Sequence, residues 1–478
     1  MKKPYFIGRV KELDILNRLA SKKSSSLVVI RGRRRIGKSR LVDEFARNDR
    51  FLRFSGLPQE GSITAQDQRN EFCRQLEKVT KKTEVNYDDW TEIFNVLATQ
   101  VKTGRVVILF DEVSWLGSKD HTFLPKLKNA WDMEFKNNPE LILILCGSVS
   151  SWIEQNILNS TGFVGRISRV IDLEELSLDE SNQFLNHLGL KGAAYEKFKI
   201  LSVTGGVPRY LEEIEPKLTA EENIKEICFT KSGILFREFN DIFSDIFSSR
   251  TPIYRKIVES LVSGKKELGQ IANDLTIQAS SHVSEYLDDL ILSGFIKRDY
   301  TWVINKNKPS KLSQYRLSDN YLRFYLKYIE PNRSKIENGH FDEQSITNLP
   351  GYSTIMGFQF ENLVLNNRKF IWNELRIYPE EIINDNPYFQ NQQTRRKACQ
   401  IDYMIQLKTN VLLACEIKFY KSEIKRDIIE ETKSKLENLY LPQGFSVKSV
   451  LIHVNGVSDS VSDEDYYYRI IDLGKALI

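Results

Sequence analysis

One stretch limits the folds open to this 478-residue chain more than any other: Gly32-Arg-Arg-Arg-Ile-Gly37-Lys38-Ser39. It follows an apolar run, Leu27–Ile30, and leads into an apolar-periodic segment. A buried strand feeding a glycine loop and then a helix is the opening of a parallel α/β unit. The glycines let successive backbone N–H groups wrap a polyphosphate, and the helix N-terminus adds the positive end of its dipole. In this spacing the lysine reaches the β- and γ-phosphates and the hydroxyl ligates Mg²⁺, so Lys38 and Ser39 take those tasks. Arg33, Arg34, Arg35, Ile36 and, just beyond, Arg40 complete the set expected around the phosphates. The three arginines read either as phosphate-side charge or as a contact for a partner domain.

The rest of the first half keeps the α/β rhythm. Strands are expected at Leu27–Arg31, Phe51–Ser55, Arg105–Phe110, Leu141–Gly147 and Ser168–Leu173. Helical patterns lie between them at Ala65–Val79, Trp90–Val101 and Phe123–Phe135. The run Arg105-Val-Val-Ile-Leu-Phe ends in Asp111-Glu112, and two carboxylates at a buried strand tip are costly for packing alone. Asp111 fits the acid that serves Mg²⁺, and Glu112 the residue that polarises an attacking water. One strand later, Ser148 either reaches the γ-phosphate or caps the following helix.

Length, charge and cysteine usage set wider bounds. The chain is too long for a single core, so several domains are expected. The net charge of +4 permits a nucleic-acid partner without demanding one. Five scattered cysteines without a CxxC spacing, and five scattered histidines, argue against a disulfide framework and a zinc site. The longest apolar runs, such as Leu141–Cys146, are too short to span a bilayer, and Met-Lys-Lys opens no apolar signal core. A cytoplasmic protein without a membrane partner is the expectation.

Beyond residue 176 the pattern changes. Short helices broken by Gly189, Gly192 and Gly205-Gly206 read as a helical lid over 177–250. Over 251–330, Ile253–Leu261, Lys266–Leu275 and Ser281–Ser293 read as three helices, and Phe295–Arg298 with Tyr300–Asn305 as a hairpin, the order of a winged helix. Its third helix carries Glu285, Asp288 and Asp289 and no lysine or arginine between Ser280 and Ser293, a face that phosphates would repel. A packing or regulatory module fits better than a sequence reader, although Lys265, Lys266, Lys297 and Arg298 flank that helix. Residues 331–350 read as a linker, and 351–478 as a small α/β domain. There a helix (Phe358–Trp372), strands near Leu375–Pro379, Gln400–Gln406 and Val411–Phe419, a helix (Ile424–Tyr440) and a last strand (Val447–Val454) are expected.

In that last domain, Asp402 lies on one strand and Glu416-Ile-Lys418 on the next. Strands alternate faces with period two, so Glu416 and Lys418 share a side. Two carboxylates can hold Mg²⁺ while a lysine steadies or deprotonates a water that attacks phosphate. A strand pair with solvated charges is the bland alternative. Arg395, Arg396 and Lys397, just upstream, could meet a nucleic-acid backbone.

Phe6-Ile7-Gly8-Arg9-Val-Lys-Glu-Leu resembles the box that lies against the adenine in AAA+ and STAND-type ATPases, and Thr204-Gly-Gly-Val-Pro208-Arg209-Tyr-Leu resembles the lid motif of the archaeal-type ATPase family. The arginine-rich phosphate loop is similar to that family's as well. The resemblance implies ATP and Mg²⁺ as cofactors, Pro208 against base or ribose, and Arg209 as a phosphate sensor. No guanine-reading N-K-x-D element is found. Arg166, with Arg169, stands where such ATPases carry an arginine that can complete a neighbouring site; a homo-oligomer would use it, and a solvated pair is the other reading. Asp402, Glu416 and Lys418 resemble the PD-(D/E)XK nuclease core, with Glu361 matching its helix acid as a further metal ligand; no proline precedes Asp402. The implied fold is a P-loop AAA+-like parallel sheet with helical lid, then a winged helix, then a small restriction-endonuclease-like α/β domain. The implied function is an ATPase controlling a nuclease-like domain that acts on DNA or another nucleic acid. The alternative is a nucleotide switch or DNA-binding ATPase whose nuclease fold is inactive.

Overall fold

Leu27, Val28, Val29 and Ile30 have no exposed surface, because β1 (Ser26–Gly32) runs through the interior of a parallel sheet. Only strands covered on both faces can be apolar at every position. A computed structural model describes residues 5–58, 63–81, 87–148, 151–247, 251–276, 281–341, 343–393 and 397–478. The chain divides into two units, Met1–Glu175 with Ser244–Ile246, and Leu176–Phe243 with Phe247–Ile478.

In the first unit, β1, β2 (Arg50–Ser55), β3 (Val106–Asp111), β4 (Leu141–Ser148) and β5 (Ile167–Leu173) form one sheet in the order β2-β3-β4-β1-β5. Every neighbouring pair is parallel, as five apolar runs separated by helices require. One face is covered by an aromatic core in which Phe72 stacks on Phe54 at 4.3 Å and meets Trp90 and Phe110 edge-on at 5.4 Å. Asp89 and Thr64, each at a helix N-cap, accept from backbone N–H groups and start the two helices that carry Trp90 and Phe72.

The second unit begins with the helices Leu178–Leu188, Ala194–Thr204, Pro208–Leu211 and Ala220–Cys228, two of them opened by capping boxes, Ser177 with Glu180 and Thr219 with Glu222. The helices Thr251–Ser260, Leu268–Asp274 and Ser281–Leu292 precede a two-stranded antiparallel hairpin, β6 (Ile296–Val303) and β7 (Lys308–Leu317). The sequence placed the hairpin turn near Asp299. It lies instead at Asn307, which takes a left-handed φ of 49°, and Asp299 is a buried partner of Arg316 at 2.8 Å. A charge that reads as a turn residue is held inside by a partner seventeen positions away, which a local pattern does not display.

A five-stranded mixed sheet closes the unit, with β8 (Ile382–Gln390), β9 (Cys399–Leu407), β10 (Val411–Ile417), β11 (Ser446–His453) and β12 (Arg469–Asp472) in the order β12-β11-β10-β9-β8. The expected helix Phe358–Trp372 is two helices, Tyr352–Asn366 and Arg368–Leu375, and the strand expected near Leu375–Pro379 is a helix end and a 3₁₀ turn. Strand β8 escaped the sequence reading because Asn384-Asp385-Asn386-Pro387 looks like a loop. It is an edge strand whose register slips between Asn386 and Tyr388, where a proline is tolerated.

The hairpin is not a free wing. Trp302 and Ile304 are buried with Tyr388, Ile401, Met404 and Leu412 of the mixed sheet. Gln406 donates to the Ile304 carbonyl at 3.0 Å and to Asn307 at 2.7 Å, and accepts from the Trp302 indole. The segment 331–350, expected as a linker, buries Ile336, Phe341, Ile346 and Leu349, and Phe341 stacks on Phe229 at 4.8 Å. A buried lysine ties the first helices to the last residues: Lys197 Nζ donates to Asn182 at 2.6 Å, Asn186 at 2.8 Å and the Leu477 carbonyl at 3.0 Å. Among the described residues, no helix is long and apolar enough to cross a membrane.

Phe72→Ala, which hollows the aromatic core, should cost about 3–5 kcal/mol. Denaturant unfolding followed by near-UV circular dichroism should show the aromatic signal lost at a lower midpoint.

Candidate functional site

At the end of β1 the chain turns through two left-handed residues, Arg35 at φ 68° and Gly37 at φ 91°, before the helix Lys38–Phe45 starts. Gly32 passes so close to β5 that an added Cβ would stand 2.4 Å from the Leu173 carbonyl oxygen. A side chain at Gly32 would therefore collide with the β5 backbone, so only glycine fits there. Lys38 is buried and folds back over the loop, with Nζ donating to the carbonyls of Gly32 and Arg33 at 3.0 Å each. Ile36 is wholly buried, and Arg33 pairs with Glu175 at 2.9 Å.

The Phe6–Arg9 segment is laced to this loop. Arg9, left-handed at φ 59°, donates from Nη2 to the Ile36 carbonyl at 3.2 Å, and Arg40 donates to the Tyr5 carbonyl at 3.2 Å. Phe6, Ile7 and Gly8 are half-buried next to them.

The end of β3 brings the acids in. Ser39 Oγ donates to Asp111 Oδ2 at 2.8 Å, so the two groups expected to hold Mg²⁺ already share one point. Hydroxyl and carboxylate oxygens are the hard donors that this ion takes, and the residues fit it. Glu112 sits left-handed at φ 49°, and burial above all raises its pKa, with Asp111 adding to the rise. The Lys38 charge, the Ser148 backbone N–H and Arg34 oppose that rise. Ser148 thus meets Glu112 through its backbone.

Arg166 is held within its own chain by a two-pronged pair with Asp132, Nε to Oδ1 at 2.9 Å and Nη2 to Oδ2 at 2.8 Å. That guanidinium is the main reason the Asp132 carboxyl is held down at about 2. In the second unit, Pro208 opens a short helix, and Arg209 pairs with Glu213 at 2.6 Å and Glu212 at 3.1 Å.

The C-terminal acids are brought together but not as a metal cage. In the β9–β10 ladder Cys415 faces Tyr403, which makes Glu416 and Asp402 the next cross-strand positions. Asp402 accepts the Ile417 N–H at 3.0 Å. Burial, then the charges of Glu416 and Glu361, push its pKa up to about 7. Glu416 is 3% exposed, and Lys435 donates to both its oxygens at 2.6 and 2.7 Å. Lys418 joins at 3.0 Å and also reaches Glu431 at 3.2 Å. Glu361 is taken by Lys265 at 2.5 Å. Among the described residues, no group of three or more His, Cys, Asp or Glu side chains is placed to hold a metal ion. Of the expected metal set of Glu361, Asp402 and Glu416, Glu361 and Glu416 are paired with lysines, and Asp402 accepts a backbone N–H.

The sequence reading missed Lys435 and Arg53. Lys435 belongs to the helix Asp427–Asn438 and falls on the stripe of Ile428 and Thr432, so a lysine at a core-facing position was the available signal. Arg53 pairs with Asp111 Oδ2 at 2.5 Å, and its signal was an arginine inside a strand of the parallel sheet. The basic flanks of the third helix are occupied: Lys266 pairs with Asp274, Lys297 donates to Asn366 at 3.1 Å, and Arg298 lies over Tyr300 and Tyr315. Arg395 and Arg396 lie outside the described residues.

Residues 6–214 match a family described as an ATPase domain predominantly from Archaea. This segment is similar to the archaeal-type ATPase domain. An uncharacterized protein of Methanocaldococcus jannaschii is 29% identical over 358 residues, 75% of this chain and 76% of that protein. An uncharacterized ATP-binding protein of the same organism is 36% identical over 50 residues, 10% of this chain and 85% of that one. The Walker-type ATPase of Pyrococcus abyssi shares the fold at a TM-score of 0.50 and 17% identity, over 67% of this chain and 96% of its own.

Asp402 has a folded pKa above its unfolded one, so the folded state binds the extra proton. The stability this supplies is full below about pH 4 and is lost as pH rises towards 7. Asp402→Asn should match wild type at pH 4 and melt higher than wild type at pH 8 in EDTA. Thermal scans at the two pH values check it.

Proposed function

We propose that this protein binds and hydrolyses ATP at Gly32–Ser39, Asp111 and Glu112. The observation that carries the reading is the meeting of Ser39 and Asp111 on one oxygen at 2.8 Å, beside a lysine parked on the loop carbonyls. Lys38 would leave those carbonyls for phosphate oxygens, and Ser39 with Asp111 would hold Mg²⁺. When bound, that ion neutralises charge on the phosphates. Glu112, whose carboxyl is raised by burial yet faces the Lys38 charge, is the base that orients and deprotonates water. Phe6–Arg9, Pro208 and Arg209 are assigned to the nucleotide by family resemblance. Lys38→Ala should abolish tight ATP binding in calorimetry on folded protein. Glu112→Gln should bind ATP and turn it over about a hundredfold more slowly or worse; unchanged phosphate release would remove Glu112 from the mechanism.

For the C-terminal domain we favour a nucleotide-controlled module whose nuclease-like site is closed by lysines. One helix, Ala194–Thr204, supports a route of control. Its first turn stacks Tyr195 on Phe419 at 4.9 Å, Phe419 stacks on Phe360 at 4.9 Å, and Phe198 meets Phe360 at 5.1 Å. Phe419 follows Lys418 and Phe360 precedes Glu361, while the same helix ends at the lid motif Thr204–Leu211. A shift of the lid would thus act on the ring layer beside the acid–lysine cluster, and the packed 331–350 segment is not needed as a hinge. The cleaving alternative requires DNA or RNA cutting with Mg²⁺ or Mn²⁺ that disappears in both Asp402→Ala and Lys418→Ala. We expect no such cutting, with or without ATP.

A further inference from the structure

We propose that Arg53 is a built-in cation of the nucleotide site, one that holds Asp111 until Mg²⁺ replaces it and then moves to Asp43. This rests on the ATPase reading above. In the parallel β2–β3 ladder Arg53 faces Leu109 and Ser55 faces Asp111, so Arg53 lies diagonally from Asp111 on the same side of the sheet. A long side chain spans that diagonal. Its Nη2 stands 2.5 Å from Asp111 Oδ2, the oxygen that also accepts Ser39 Oγ at 2.8 Å.

Asp111 is 6% exposed by its side chain, and a carboxylate that deep must be compensated. Mg²⁺ is a hard cation that prefers oxygen ligands, and Ser39 and Asp111 would hold it, Asp111 directly or through a bound water. A guanidinium hydrogen-bonded to the same Oδ2 occupies one of those lone pairs and repels the ion. The two cations therefore compete for one carboxylate. Arg53 has somewhere to go: its Nη1 is already 3.8 Å from Asp43 Oδ1, and both side chains are open to solvent, at 44% and 40% exposure. Asp43 lies on the helix that the phosphate loop starts, so the exchange stays inside the nucleotide site.

Two consequences follow. Without Mg²⁺, Arg53 screens Asp111 from the polyphosphate and lets metal-free nucleotide bind. With Mg²⁺, displacing Arg53 raises the metal concentration needed.

The test is a titration of the full chain with a fluorescent ATP analogue, first in EDTA and then over a Mg²⁺ series, on wild type, Arg53→Gln and Arg53→Lys. Circular dichroism verifies folding. Arg53→Gln should reach its half-maximal Mg²⁺ effect at about a tenfold lower concentration, the equivalent of one charge-assisted hydrogen bond, and bind more weakly in EDTA. Arg53→Lys, with one compact charge in place of the fork, should shift the same way by less, and it carries the comparison if the glutamine variant does not fold. A wild-type protein that binds the analogue, with variants whose Mg²⁺ half-point is unchanged or higher, overturns the role of Arg53. A wild type that fails to bind it with Mg²⁺ present overturns the ATPase reading and with it this inference.

Discussion

The apolar middle of β1 is the constraint on which the nucleotide end of the molecule depends. Four consecutive residues without exposed surface demand neighbours on both edges and cover on both faces. Those neighbours run parallel to it, so every strand of the sheet delivers its C-terminal end to one side. Gly32 pairs with Ser148 on one edge and Leu173 on the other, while Ser55 pairs with Asp111 two strands away. The meeting of Lys38, Asp111, Glu112 and Ser148 is a consequence of strand direction. Side-chain chemistry then refines it.

The second unit is organised differently, around polar groups that have been taken inside and paired. Arg316 is 2% exposed, bonds Asp299 at 2.8 Å and also reaches Asn362. Asn362 in turn donates to the Leu317 carbonyl and to Asn320, both at 3.0 Å. Such a network is costly to break, because removing one member strands a buried charge. It fastens the hairpin to the helix Tyr352–Asn366, which also carries Phe360 and Glu361. The acid–lysine cluster of β9 and β10 follows the same rule, with a lysine held against Glu416 and another against Glu361.

What the sequence disclosed, and what it hid, divides along this line. Strands of the first unit were legible to within a residue or so, since continuous apolar runs state their own burial. That Lys38, Ser39, Asp111 and Glu112 lie at one end of the sheet was legible from a loop spacing and a strand tip. The hairpin turn was misplaced because Asp299 is buried by a distant arginine. Strand β8 was missed because its polar centre sits at a sheet edge. Arg53 and Lys435 were invisible as site residues for one reason: each gains its meaning from an acid on another element. Periodicity reports which face is buried and is silent on which charges meet there.

The reach of Lys197 has a consequence for how the chain is made. Its ammonium is buried against the Leu477 carbonyl, 280 positions further on, and burial lowers its pKa. Until that carbonyl exists, the helices at the start of the second unit lack one of the partners that makes their interior lysine tolerable. The first sheet draws its contacts from the first 175 residues and can close while synthesis continues. The second unit has to wait for almost its last residue, with Trp302 and Ile304 uncovered until β9 and β10 emerge. Contacts so distant in sequence make folding slow. During that interval the nascent protein is a finished P-loop sheet trailing an open, apolar half, which is where a chaperone would be expected to act and where a truncated product would aggregate.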